Sequence, residues 1–334
     1  MTSFIDRRTL LTGLAVVPLA SSAGKAAESG LRVIASGLEF PEGVVSTLDG
    51  GALFVEIGAG RLSRVTAEGK LSRIADTGLG PNGATIGPDG AIYVANDGGL
   101  LFDRPGGGWA VASRPGVPAN YTGGLIQRID PKTGSVKTLY SNIGTHRLCA
   151  PNDILCDSWG GLWFSDTGRS YPRSHDHGGL YWAKLDGSEI REIAYPLLTP
   201  NGLALSPDRK TLYVASSSLR QITAYNLIGP GIVESANGRP VSRIVASIGG
   251  DLAFDNIAVE AGGNIVVAAV RSGQLLVINP SGEVVETVKV PDPLVTALAF
   301  GGTDMRKLFV TLSGTGKLIV LDWPRAGLPP LHRI

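Results

Sequence analysis

Residues 151–166 read PNDILCDSWGGLWFSD. A short apolar run, Ile154 to Cys156, meets a turn rich in Asp and Gly and then a second apolar run, Leu162 to Phe164, which is the pattern of a β-hairpin. The same phrase returns every few dozen residues. Its other copies are PEGVVSTLDGGALFVE at 41–56, PNGATIGPDGAIYVAN at 81–96, PNGLALSPDRKTLYVAS at 200–216, FDNIAVEAGGNIVVAA at 254–269 and VTALAFGGTDMRKLFVT at 295–311. A second hairpin follows five of the six copies, at 61–70, 125–134, 180–187, 222–238 and 275–282. Four strands per unit, repeated radially, predict an all-β fold: a six-bladed β-propeller with four antiparallel strands in each blade.

The sixth unit supplies only a third strand, at 317–321, before Pro324. An unassigned strand-like stretch, Leu31 to Ala35, precedes the first copy. Adding it to the last blade closes the ring and removes both exposed edges. Residues 31–334 are therefore expected to form one propeller domain.

Composition agrees with many short strands and tight turns: there are 46 Gly and 21 Pro, and 18% of residues are charged. With 30 basic against 29 acidic residues there is no electrostatic footprint for a nucleic acid. The one segment resembling a membrane span is N-terminal, and its apolar core, Leu10 to Ala20, is too short to cross. Paired Arg7 and Arg8, that core and the small residues after it resemble a twin-arginine export signal over residues 1–27. The expected location is periplasmic or secreted.

Aligning the six copies places Glu42, Asn82, Asn152, Asn201, Asp255 and Thr296 at equivalent positions. The first strands of a propeller line its central channel, so these side chains converge on one axis. Pro-Asn-Gly is good turn chemistry by itself, but two buried carboxylates need a partner. A cation is the economical one. An all-oxygen set favours a hard ion, Ca²⁺ first, with Mg²⁺, Mn²⁺ or Zn²⁺ behind it.

These features together resemble the SMP-30/gluconolactonase/luciferin-regenerating-enzyme family: Pro-Glu-Gly in the first copy, Pro-Asn-Asp and Pro-Asn-Gly in the third and fourth, an Asp leading the fifth, and ALAFGGTD at 297–304. The resemblance runs from Leu31 to the end. It implies a divalent metal held by Glu42, Asn152, Asn201 and Asp255, with Asp255 activating water to open a lactone ring; Asn82 has no firm counterpart there and is expected to touch the substrate or to back the ligands. Sugar-lactone members carry an Arg two residues before the third-blade Asn. Ala150 stands there instead, which withdraws support for a sugar-acid lactone while leaving hydrolysis in place. A non-catalytic binding propeller, or strictosidine-synthase-like chemistry on the same fold, are the alternatives.

Two long connections, 96–122 and 167–178, are expected to shape substrate access. They supply Trp109, Tyr121, Arg169, His175 and His177, and Asp166 points toward the same mouth. His175 and His177 lack a third nearby ligand and are expected in a solvated loop. Cys149 and Cys156 are expected as two reduced thiols. No Gly-x-Ser-x-Gly elbow is present. Asp153, one residue past Asn152, is expected to face away from the axis and serve backbone.

Overall fold

In the computed structural model, which describes residues 30–78 and 80–334, each hairpin copy forms the two inner strands of a four-stranded antiparallel sheet. Blade 1 comprises Pro41–Ser46, Ala52–Glu56, Arg61–Val65 and Leu71–Asp76. Blade 2 comprises Pro81–Ile86, Ile92–Asn96, Leu125–Ile129 and Val136–Tyr140, and blade 3 Pro151–Cys156, Gly161–Asp166, Gly178–Lys184 and Ile190–Leu197. Blade 4 comprises Pro200–Leu205, Thr211–Ser216, Gln221–Gly229 and Ser242–Ser247, and blade 5 Ala253–Val259, Ile265–Val270, Gln274–Ile278 and Val284–Lys289. Blade 6 comprises Val295–Gly301, Lys307–Leu312 and Lys317–Asp322, completed by Leu31–Ser36. The closing strand pairs from Leu31 with Leu321 to Ser36 with Lys317.

The first strand of each blade touches that of the next, and the sixth touches the first. The second strands are buried almost throughout, as in Ala52–Glu56 and Ile92–Asn96, because neighbouring blades cover both faces. Six apolar clusters fill the six junctions between blades; Trp163, Leu180 and Trp182 of blade 3, for example, pack on Leu203, Leu212 and Val214 of blade 4. Burial falls off outward, and Leu71–Asp76 is largely solvated.

Blade 4 departs from the sequence reading. Its third strand runs on to Gly229, and the expected turn at Asn237-Gly238 belongs to an extra small hairpin, Ser235–Ala236 with Arg239–Pro240. The true outer strand begins after it, at Ser242. The segment 1–27, read as an export signal, lies outside the described residues. Among the described residues no helix is long and apolar enough to cross a membrane.

One irregularity recurs in all six blades. The pairing of first and second strands shifts register just after the aligned position, between Glu42 and Val45, Pro81 and Gly83, Pro151 and Ile154, Pro200 and Leu203, Phe254 and Ile257, and Val295 and Leu298. A β-bulge bends its strand and re-aims the side chains beside it. Here six bulges do so around one axis.

Candidate active site

The bulges bring Glu42, Asn82, Asn152, Asn201 and Asp255 to the wall of a single narrow pocket on the axis. Glu42, Asn82 and Asn201 are buried, whereas Asn152 and Asp255 are half-buried and form the open side. Close approach of the strands depends on glycine. A Cβ on Gly83 would lie 2.4 Å from the Asn152 carbonyl oxygen, and one on Gly202 would lie 2.6 Å from that of Asp255.

Each polar side chain has its own support. Asn82 donates through Nδ2 to Asp97 at 3.1 Å. Asn201 donates to Ser217 Oγ at 3.1 Å, which leaves its Oδ1 buried without a partner. Thr296, beside Glu42, hydrogen-bonds Thr311 Oγ1 at 2.9 Å and Ser313 Oγ. Gly43 N donates to Glu42 Oε2 at 3.2 Å.

The electrostatics are one-sided. Burial, and then the nearby Asp255 charge, holds Glu42 well above the usual carboxylate range. Burial also pushes Asp255 up to about 7, opposed by a hydrogen bond from Asn201 and reinforced by Asp153. Among the described residues no Lys, Arg or His lines the pocket. A carboxylate pair and two amide oxygens, one of them the unpartnered buried Oδ1 of Asn201, suit a hard cation, whose charge would offset the repulsion.

Asp153 is placed differently from the expectation drawn from strand alternation. It serves backbone, accepting from Leu203 N at 2.7 Å and Ile154 N at 2.9 Å, but it also lines the axial pocket. The bulge between Pro151 and Ile154 breaks the alternation that would have turned it away. Asn256 Nδ2 reaches it at 2.9 Å, so blades 3 and 5 are tied by a polar crossbar beneath the ring. Burial raises Asp153 to about 7 as well. Asn256 was missed in the sequence, although Asn152-Asp153 and Asp255-Asn256 are the two copies with consecutive polar residues at these positions.

The remaining candidates fall on the rim. Asp166 accepts three backbone N–H groups, from Cys149 at 2.7 Å, Ala150 at 2.8 Å and Gly168 at 2.9 Å, so it fixes the approach to Asn152. Arg169 is buried, pairs with Asp97 at 3.4 Å and donates to the carbonyls of Asp97 and Gly99. It also lies over Tyr121, 5.3 Å from the ring centre, and Tyr121 donates to the Cys149 carbonyl at 2.7 Å. Asn82, Asp97 and Arg169 thus form a chain from the pocket to the rim; Asp97 was not anticipated. Trp109 reaches across blade 1, packing against Phe102 and Phe40 and donating its backbone N–H to Gly314 O. His175 and His177 are exposed on a small hairpin, with ring centres 5.7 Å apart. Cys149 and Cys156 are free thiols, both raised to about 12 by burial, so neither is a ready nucleophile.

Residues 40–314 match the family described as the SMP-30/gluconolactonase/LRE-like region. The chain is 25% identical over 263 residues to a 6-deoxy-6-sulfogluconolactonase of Pseudomonas putida, covering 66% of this chain and 87% of that protein. It is 28% identical over 170 residues to a lactonase of Staphylococcus saprophyticus, covering 51% of this chain and 50% of that protein, about half its length. A solved structure of the calcium-binding protein regucalcin from Agrobacterium tumefaciens superposes with a TM-score of 0.68 at 17% identity, over 92% of this chain and 98% of that one. With this match spanning most of the described residues, on a six-bladed ring with its polar pocket at the axis, the chain belongs to the SMP-30/gluconolactonase/LRE-like family.

Proposed function

We propose that the protein is a metal-dependent lactone hydrolase, with Ca²⁺ on the propeller axis. The observation that carries this reading is the pairing of Glu42 with Asp255 in a buried pocket free of cationic side chains, beside the unpartnered Oδ1 of Asn201. Curated relatives named as lactonases and a structural neighbour named as calcium-binding support it. Glu42, Asn152, Asn201 and Asp255 would hold the ion. When bound, it supplies an electrophile for the ester carbonyl and a counter-charge for the oxygen that becomes negative.

The chain's own groups divide the rest of the work. Of the three axial carboxylates, Asp153 is spent on two backbone N–H groups and Asn256, and Glu42 is buried behind Thr296 and Gly43. Asp255 alone among them is half-buried on the open side, so it takes the proton from the attacking water. That proton then passes to the ring oxygen as the acyl C–O bond breaks, giving a hydroxy acid. Asn82, held by Asp97, presents its amide to the substrate side.

A pH-stat screen of lactones with and without EDTA tests this directly. Ca²⁺-dependent hydrolysis, abolished in Asp255→Asn, is the expected result; Ca²⁺ binding with no turnover of any lactone would instead favour a non-catalytic binding propeller. The twin-arginine-type segment supports export to the periplasm, which fractionation of cells expressing the full chain and an Arg7→Lys/Arg8→Lys variant checks.

A further inference from the structure

We propose that the substrate is a lactone carrying an extended apolar substituent, which lies in a rim cleft beside the axial pocket; this rests on the lactonase reading above. The cleft has a volume of about 310 Å³ and runs between the two long connections of blades 2 and 3. Two of its wall residues fix its place relative to the ring. Thr167 donates its backbone N–H to Ala150 O at 3.0 Å, two residues before Asn152, and Thr199 accepts from Ser217 N at 3.0 Å, two residues before Asn201. The cleft therefore stands on the Asn152–Asn201 side of the ring, next to Asn152, one of the two half-buried residues at the open side of the pocket.

One wall is apolar, formed by Leu100, Leu101, Val111, Ala112 and Pro115. Val111 is 48% exposed. The opposite wall looks polar in sequence, yet most of its side-chain groups are already engaged, the buried Arg169 Nε excepted. Thr199 Oγ1 donates to Ser218 Oγ at 2.8 Å, and Ser170 Oγ lies 2.9 Å from His175 Nδ1. Arg169 is held by the carbonyls of Asp97 and Gly99, and on the Leu101–Val111 side the exposed Arg114 pairs with Asp103 at 2.9 Å. A polyhydroxylated ring entering here would exchange water for few protein partners, which costs binding. An alkyl or aryl group meets carbon on the Leu101–Val111 side and is removed from water.

The test is a δ-lactone series with growing alkyl chains, from unsubstituted δ-valerolactone upward, set against glucono-1,5-lactone and measured on the Ca²⁺-loaded full chain. The expected result is a rise in kcat/KM of roughly twofold to fourfold per added methylene. Val111→Asn and Leu101→Asn should lose on the order of tenfold for the longest member, mainly through KM, with δ-valerolactone turnover unchanged. The Val111 position is exposed, so folding does not limit that variant. A flat chain-length profile, or preference for glucono-1,5-lactone, overturns the cleft assignment while leaving the hydrolase intact. Hydrolysis of no lactone sinks the lactonase reading itself, and calorimetric binding of 5-hydroxyalkanoates against gluconate then decides the cleft. Length-independent binding overturns it there too.

Discussion

The same six strands build both ends of the central channel, and the two ends could hardly differ more. At the bulged end stand Glu42, Asn82, Asn152, Asn201 and Asp255, with carboxylates raised by burial. Beyond the Asp153–Asn256 crossbar lies a cavity of about 180 Å³ walled mainly by apolar groups such as Leu155, Leu205 and Phe300. It is closed by the C-terminal tail, Leu328 to His332, which Arg209 and Val259 hold through hydrogen bonds to its backbone. The apolar end is what packing alone yields. A polar end that is costly in isolation signals a ligand, because nothing in the packing requires it.

The largest effect that would break this contrast comes from Asp255→Asn. Turnover should fall by about 10³-fold or more, while the metal-free protein at pH 8 should become more stable by ~1–3 kcal/mol. Chemical denaturation in EDTA measures this, and a loss of metal-free stability would show that the pair is not poised against itself. Next in size is Gly83→Ala. Its methyl collides with the Asn152 carbonyl, so about 2–4 kcal/mol of stability and much of the Ca²⁺ affinity should go together.

Calcium itself should stabilise the fold by about 2.7 kcal/mol at 100 times its Kd. That gain has a sign in pH. Because Glu42 and Asp255 have folded-state pKa values above their unfolded ones, their contribution in the metal-free protein is present near pH 4 and is lost as pH rises through the folded-state values, about 7 for Asp255. Ca²⁺ competes with those protons, so the Ca²⁺-induced rise in Tm should grow between pH 5 and 8. A Tm shift that shrinks over that range would contradict the assignment. The smallest effect belongs to the other end: Leu331→Ala should cost about 1–2 kcal/mol and leave both Ca²⁺ affinity and kcat unchanged.

Much of this was legible in the residues. Hairpin repeats are local, so turn chemistry and apolar runs announced six blades, and equivalence among the copies drew Glu42 and Asp255 to one axis. The closing strand was legible from edge bookkeeping, since one blade lacked a partner. What stayed hidden depends on departures from regular geometry. Asp153 was assigned by strand alternation, and a bulge cancelled it. The outer strand of blade 4 was misplaced because Asn237-Gly238 is a good turn in the wrong hairpin. Asp97 and the state of Arg169 follow from contacts between blades 2 and 3, which no local pattern encodes.

The closing strand also bears on how the molecule forms. Leu31 meets Leu321 across about 290 residues, so the last latch of the ring joins the first and last strands among the described residues. Bringing such distant ends together costs about 5 kcal/mol of chain entropy, which is recovered only once the intervening blades are stacked. During synthesis the N-terminal strand must wait, unpaired, until the final blade emerges. Completion of the ring is thus tied to synthesis of blade 6, and a nascent molecule cannot present the finished axial pocket before Lys317–Asp322 is made.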